Sequence, residues 1–443
     1  MSYKKIQSRW NNVPFSPAKW PFFYGWVVVF ASVIGAFASI PGQTIGVGVF
    51  TDFLIESLKL SRTQLSSAYM VGTIASSLLL PLAGSMLDRF GARLIGVLAA
   101  VGLGVSLLGL AHCDQLAELG SAGSTFFVFV VMVICFLAIR FFGQGMLGMV
   151  SQVMIGKWFN HHRGLASAIL GVFIGFGFNA APRFLNMLVN VFEWHGACLA
   201  LAVIIGIGMS VFAWIFYRDN PEGCGLEMDG DHDEQWHRKM AERTAETVKE
   251  FTPWEAIKEP AFWVFSIAIG LQGLFMTAIT FHITSLASEE GLSRSEAYWL
   301  FVPLAVTSVF ATLAGGWASD RIGMKWLLVV MMIFQSLAAV GTLTISSAIG
   351  QIMFVGGYGI SGGMFIPLLT VVCPRFFGRE HLGAINGLNK SILVFMTAVG
   401  PVIYSSVRDW SGSYDTILCG AAIVPFIVLI AGIIEGENPQ ERF

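Results

Sequence analysis

Runs of apolar residues, each closed by a short polar cluster, recur from residue 23 to residue 435 of the chain. Most exceed eighteen residues, and at ~1.5 Å per helical residue each is long enough to cross a ~30 Å hydrocarbon core. The pattern predicts helical spans near 23–50, 66–87, 94–112, 125–155, 165–190, 196–217, 261–287, 295–318, 326–347, 350–373, 383–407 and 416–435. One long polar stretch, about 218–258, divides them into six and six. The expectation is an all-α membrane protein of twelve transmembrane helices in two six-helix bundles, 1–217 and 259–443. They are joined by a cytoplasmic linker in which Asp233 to Glu255 forms an amphipathic interfacial helix.

Basic residues set the orientation, because Lys and Arg in short loops favour the cytoplasmic side. Arg89, Arg93, Lys157, Arg163, Arg218, Arg321, Lys325, Arg375 and Arg379 fall on one side, with Lys4, Lys5, Arg9 and Lys19 at the start of the chain. The other side keeps Lys59, Arg62, Arg294 and Arg408. Both termini are therefore expected in the cytoplasm and the protein in the inner or plasma membrane. The first apolar run is too long for a signal-peptide core and reads as a retained span.

Composition sharpens this reading. With 55% hydrophobic and 12% charged residues, the chain carries far less charge than a water-soluble domain. No concentrated basic patch suggests nucleic acid. The six cysteines are scattered without a CxxC pair and read as buried thiols, so no metal or cofactor is expected. No G-x-x-x-x-G-K-[ST] stretch supports pumping by ATP hydrolysis. A carrier acting as a monomer, not an enzyme, is the expectation.

The segment Gly84-Ser-Met-Leu-Asp88-Arg89-Phe-Gly91-Ala-Arg93 after the second span recurs as Gly316-Trp-Ala-Ser-Asp320-Arg321-Ile-Gly323-Met-Lys325 after the eighth. Glycines at such a turn allow close helix approach, and the Asp can accept from a helix N-terminus. Gly84, Asp88, Arg89, Arg93, Asp320 and Arg321 are therefore read as a conformational latch. With Arg140-Phe-Phe-Gly143-Gln144-Gly145 in the fourth span, the chain resembles the major facilitator superfamily over essentially its whole length. Tyr24-Gly25-Trp26, Arg218-Asp-Asn-Pro221-Glu222-Gly-Cys-Gly225, Phe262-Trp263 and Phe281-His282 are most similar to its bacterial monocarboxylate and oxalate/formate branch. The resemblance implies alternating access between two bundles, with the third, sixth, ninth and twelfth helices facing lipid.

Three basic residues fall inside predicted spans, where a charge costs at least ~2.5–3.5 kcal/mol and normally faces a cavity or a partner. Arg140 shares a helical face with Gln144, Gly148 and Ser151, and reads as a cavity residue or a brace on neighbouring carbonyls. Arg183 belongs to a stripe of Asn179, Asn186 and Asn190, and reads as a pathway residue or an interfacial anchor. Lys390 follows Asn386 on one face, as a substrate ligand or a snorkelling lysine. The resemblance implies carboxylate binding by a lysine in the eleventh span. The branch's companion arginine in the eighth span has no counterpart between Pro303 and Gly316.

No Asp or Glu lies at mid-depth in any span, so buried positive charge stands without negative charge. That combination favours a small organic anion, most simply a monocarboxylate, carried by proton symport or anion exchange. His282 is the candidate for proton coupling, against the plainer role of a hydrogen-bonding interfacial residue. An exporter of drugs or neutral solutes on the same fold is the alternative. A receptor built on a carrier fold would need an added domain or long tail.

Overall fold

The structure is a computed structural model describing residues 12–118, 125–230 and 249–442. Among these, nine helices are long and apolar enough to cross a membrane, with two shorter apolar helices beside them. Most of the expected linker helix lies outside the described residues, as do Lys4, Lys5 and Arg9.

The chain divides into two compact units. One gathers the described residues of Met1–Phe159, Phe173–Asp231 and Asn386–Ser391, and the other those of Asn160–Val172, His232–Ile385 and Ile392–Phe443.

In the first unit, α1 (Gly25–Ala38) and α2 (Thr44–Leu58) make one crossing between them. The sequence pattern predicts a single helix over 23–50, but the chain turns at Ile40–Gly42. The break has two local causes. Pro41 has no backbone N–H to continue a helix. At Gly42, any Cβ would stand 2.5 Å from the Ile139 carbonyl oxygen and 2.7 Å from the Gly143 Cα, so two backbones pass in direct contact.

Helix α3 (Arg62–Ala111) is capped by a reciprocal Ser61–Gln64 box. Its 50 residues reverse at Gly91, whose φ of 82° suits glycine, and supply two crossings. Helix α4 (Thr125–Trp158) contains a π-helical segment, Arg140–Leu147. Helix α5 (Arg163–Val203) reverses at Glu193, with φ 59° and ψ 173°, and runs on through Ile204–Met209 and Ser210–Phe216. It too supplies two crossings, bringing this half of the chain to six, although its first turns, as far as Val172, belong to the second unit.

This unit is closed by a buried arginine. Arg218 is fully buried and donates to the carbonyls of Ile215 (2.7 Å), Tyr217 (2.8 Å), Val13 (3.2 Å) and Phe15 (3.4 Å). Its guanidinium lies over the Phe15 ring at 5.1 Å and the Tyr24 ring at 5.9 Å. The Tyr24 hydroxyl donates to the Phe216 carbonyl at 2.8 Å.

The second unit holds α6 (Pro260–Glu289), α7 (Phe301–Ser319), α8 (Met324–Leu343), α9 (Ala348–Phe377), most of α10 (Leu382–Ser411) and α11 (Asp415–Glu435). These are six more crossings, completing an all-α membrane protein with twelve. The glycines of α9 are contact points. A Cβ at Gly357 would lie 2.5 Å from the Ala338 nitrogen, and one at Gly363 would lie 2.8 Å from the Ser308 oxygen, so α9 packs backbone to backbone on both α8 and α7.

One expectation is corrected here. The ninth helix, α8, does not lie mainly toward lipid: it buries Leu327, Leu328, Met331, Met332, Gln335 and Ser336, and exposes a stripe that includes Trp326, Ile333 and Val340. Its apolar character comes from packing inside the unit. By contrast, α11 exposes Ile423, Phe426, Ile427, Ile430 and Ile434, as a lipid-facing helix should.

Candidate substrate path and latch

Arg140 opens the π-helical segment of α4 and is only 2% exposed. Both of its hydrogen bonds leave from Nη1, to the Gly42 carbonyl at 3.2 Å and the Thr44 hydroxyl at 3.4 Å. Its guanidinium lies 5.3 Å from the Tyr69 ring, and Tyr69 in turn donates to Thr44 at 2.9 Å. Arg140 therefore braces the broken first crossing, and only part of its donor capacity is used. Nε has no partner, and among the described residues Arg140 forms no ion pair. The Nε–Nη2 edge is a planar fork that matches a carboxylate.

Further along α4, Gln144 has a buried side-chain oxygen without a partner. Gly148 and Gln152 then meet Lys390. The Lys390 Nζ donates to Gln152 Oε1 at 3.3 Å, and a Cβ at Gly148 would stand 3.1 Å from the same Nζ. Lys390 is 5% exposed, and Asn386, one turn earlier on α10, is 7% exposed. Ser151 turns away from this face. Its hydroxyl donates to the Leu147 carbonyl and lies where a Cβ at Gly35 would be 2.5 Å away.

Arg140 and Gly148 are eight residues apart, at most ~12 Å along the axis, since the π-helical segment between them rises less per residue than an α-helix. An arginine side chain in a helix also points back toward the N-terminus, away from Gly148. The structure therefore sets Arg140 and Lys390 at two levels of one face, roughly two turns apart. Arg183, Asn186 and Asn190 lie exposed on α5, and no hydrogen bond or ion pair joins them to either cation among the described residues. The Asn179 side chain lies outside the described set.

The loop motifs form matching ion pairs. In the first unit Lys157 Nζ lies 3.8 Å from Asp88 and 3.1 Å from Asp219, and Asp219 also accepts the Ala92 amide at 3.1 Å. Arg93 donates through Nε to the Tyr217 carbonyl at 3.2 Å. Arg89 lies over the Phe90 ring. Gly84 is buried in α3.

In the second unit Asp320 accepts the amides of Gly164 (2.7 Å) and Leu165 (3.1 Å) at the start of α5, with Arg375 Nη2 4.0 Å away. Burial pushes the Asp320 carboxyl up from its ordinary value, while the Gly164 amide, Arg375 and the Leu165 amide pull it partly back. Gly316 permits the approach: a Cβ there would be 2.5 Å from the Gly164 carbonyl oxygen. Arg321 folds over the Trp317 ring at 4.3 Å.

These contacts extend the sequence repeat. Lys157-Trp158-Phe159 matches Arg375-Phe376-Phe377, each placing its cation beside the motif Asp. Asp219-Asn220-Pro221 matches Glu437-Asn438-Pro439, and Glu437 pairs with Lys325 at 3.1 Å. Neither repeat stands out from hydropathy, and both lie at an offset of 218 residues against 232 for Asp88 and Asp320, so alignment on the motif Asp alone does not bring them together. Gln152 is likewise missing from a sequence reading that ends the α4 stripe at Ser151. Its signal is the i+4 step from Gly148.

His282 joins three helices. Nε2 contacts the Pro401 carbonyl at 2.9 Å, which can only accept, so Nε2 carries the hydrogen. Nδ1 is then the acceptor in the neutral ring, and the Tyr414 hydroxyl donates to it at 3.1 Å. The Tyr404 ring stacks parallel at 6.4 Å.

Twelve apolar crossings with interior cations and paired loop motifs define a polytopic integral membrane protein. The model of the Major Facilitator Superfamily matches residues 16–401, and the chain belongs to that family. Among relatives, Monocarboxylate transporter 12 of Homo sapiens is 22% identical over 308 residues, a match spanning 62% of this chain and 57% of that protein. Monocarboxylate transporter 11 of Mus musculus is 23% identical over 435 residues, covering 93% of this chain and 87% of that protein. A proton:xylose symporter solved with 6-bromo-6-deoxy-D-glucose has the same fold, with a TM-score of 0.64 at 16% identity, covering 94% of this chain and 98% of that one.

Proposed function

We propose that the protein is a secondary active transporter of small organic anions, with monocarboxylates as the first class to test. The observation that carries this reading is the uncommitted Nε–Nη2 edge of buried Arg140, reinforced by Lys390, whose one hydrogen-bond partner is a neutral amide. A guanidinium edge left unpaired in a membrane interior is costly, and a carboxylate satisfies it with two parallel hydrogen bonds. The names of the two relatives agree with that class.

On this reading Arg140 and Lys390 are the principal substrate ligands. Gln144, Asn386, Asn179 and Arg183 line the path, and substrate moves by alternating access of the bundles 1–217 and 259–443 about the 218–258 linker. Asp88 and Asp320 are the latch. Both termini are cytoplasmic, and the transporter works as a monomer. His282, set between the Pro401 carbonyl and the Tyr414 hydroxyl, is the candidate for proton symport, with anion exchange as the other mode of coupling.

A thermal-shift screen of the purified protein against mono- and dicarboxylates tests the substrate class, since binding to the native state raises its apparent stability. Stabilisation by carboxylates supports the reading. Stabilisation only by neutral or cationic compounds replaces it with the exporter reading.

A further inference from the structure

Lys390 is held by groups that fix its position without cancelling its charge. An ammonium has three donors, and one is spent on Gln152 Oε1. Gly148, one turn before Gln152, offers no side chain, and that opening is where the ammonium sits. On α10, a Cβ at Gly387 would stand 2.5 Å from the Leu80 carbonyl oxygen and 3.1 Å from the Pro81 Cα. The α10 backbone is therefore seated directly on α3 one turn before Lys390, which sets the depth from which its side chain reaches α4. Among the described residues no carboxylate pairs with it.

We propose that Gln152 is a positioning residue for Lys390: its neutral carbonyl holds the ammonium at the Gly148 turn and leaves the positive charge whole for a monoanionic carboxylate. This rests on the substrate reading of Lys390 given above and adds a selectivity determinant to it. A glutamate of the same shape at this position would serve equally well as an acceptor but would cancel the charge. An aliphatic residue would leave the charge and remove the hold. Position and charge are thus separable by substitution at one residue.

Lys390 sits at the Gly148 level and Arg140 about two turns away. A carboxylate small enough to bind at Lys390 is therefore out of reach of Arg140. The Gln152–Lys390 pair defines its own station on the path.

The experiment uses the full chain in detergent with two readouts on Gln152→Glu, Gln152→Leu and Lys390→Gln. The first is the rate at which acetic anhydride acetylates Lys390 Nζ, with acetate as the leaving group, followed by mass spectrometry across pH. Gln152→Glu should slow labelling at least tenfold near neutral pH, because an adjacent carboxylate keeps the amine protonated. The effect should fade as acid protonates the introduced carboxyl. Gln152→Leu should not slow it. Equal labelling in the parent protein and Gln152→Glu overturns the proposal.

The second readout is the pyruvate concentration needed for thermal stabilisation. Gln152→Glu should raise it as much as Lys390→Gln does, and Gln152→Leu by less, with recovery at low pH only in Gln152→Glu. If Lys390→Gln weakens pyruvate binding and Gln152→Glu does not, the positioning role is lost and the substrate role of Lys390 stands. If Lys390→Gln changes nothing, or pyruvate fails to stabilise the parent protein, the monocarboxylate reading of Lys390 is lost. The labelling result then decides the role of Gln152 alone.

Discussion

The carboxylate of Asp320 accepts the backbone amide of Gly164 at 2.7 Å. This ties the loop after α7 to the first turn of α5, and its second oxygen takes the Leu165 amide at 3.1 Å. The amides at a helix start have no partners within the helix and carry partial positive charge, so an aspartate both satisfies and neutralises them.

Two substitutions divide that contribution. Asp320→Asn keeps an acceptor and removes a charge that burial makes costly: it gives up about 0.3–1 kcal/mol of attraction to the helix start but relieves the desolvation, so the hold should be kept. Asp320→Ala removes both and should cost about 0.5–2 kcal/mol. Hydrogen exchange at the Gly164 and Leu165 amides reads the difference, with exchange fastest in Asp320→Ala. On the latch reading, Asp88→Asn slows turnover while leaving ligand affinity intact. Normal turnover would remove Asp88 from that role.

The same carboxylate makes the packed state sensitive to pH. Burial raises the Asp320 carboxyl above its ordinary value, against the pull of Arg375 and Arg163, so the packed state binds a proton more readily than a state with Asp320 in water. By linkage, acid favours packing and alkali favours release. Exchange at Gly164 should therefore slow as pH falls through the range in which Asp320 titrates, after correction for intrinsic rates. Asp320→Asn should abolish the dependence.

Removal of the Lys390 charge should cost an anionic ligand more than a neutral analogue of the same shape. The loss in Lys390→Gln should be about 1.5–3 kcal/mol, roughly ten- to a hundredfold in affinity. Lys390→Arg retains charge with altered geometry and should fall between. Because Arg140 lies about two turns away along α4, its effect should add to that of Lys390 within about 0.5 kcal/mol in the double variant. Strong coupling between them would mean that one carboxylate touches both. Titration by thermal shift or isothermal calorimetry measures the parent protein, Lys390→Gln, Lys390→Arg, Arg140→Gln and the Arg140→Gln/Lys390→Gln double variant.

Glu193 reverses the chain inside α5 at φ 59° and ψ 173°, a backbone region that suits glycine. Holding a non-glycine residue there costs on the order of 1–3 kcal/mol. Glu193→Gly should raise the melting temperature, less the extra backbone entropy that glycine carries when unfolded. A lower melting temperature would show that the Glu193 side chain contributes more than the strain it causes.

Orientation is tested by a single cysteine at Lys239 in an otherwise cysteine-free chain. In intact cells an impermeant maleimide should fail to label it, and in opened membranes it should react. Ready labelling from outside would invert the proposed topology.

The all-helical, twelve-crossing architecture was legible because hydropathy and length report directly on the membrane. The break at Ile40–Gly42 was not, since the apolar run continues unbroken through it. Pro41 was a visible signal, but the second cause, the meeting of Gly42 with Gly143, is a contact 101 residues apart in sequence that periodicity cannot register. The buried cations were legible as residues, because charge within an apolar run is conspicuous. Their neighbours were less so. The 140–144–148 spacing extends to Gln152 only because Lys390 arrives from α10, and Ser151 leaves that face to meet Gly35. The ninth helix misled because apolar composition does not distinguish a helix buried among others from one facing lipid.

The seat of Arg218 has a practical bearing on how the protein can be handled. Two of the carbonyls that hold its guanidinium, those of Val13 and Phe15, come from the stretch just ahead of the first crossing. A truncation that starts the chain after Phe15 would strip acceptors and an aromatic face from a fully buried cation at the far end of the same half. Affinity tags and fusion partners therefore belong upstream of Val13, with that short leader left intact.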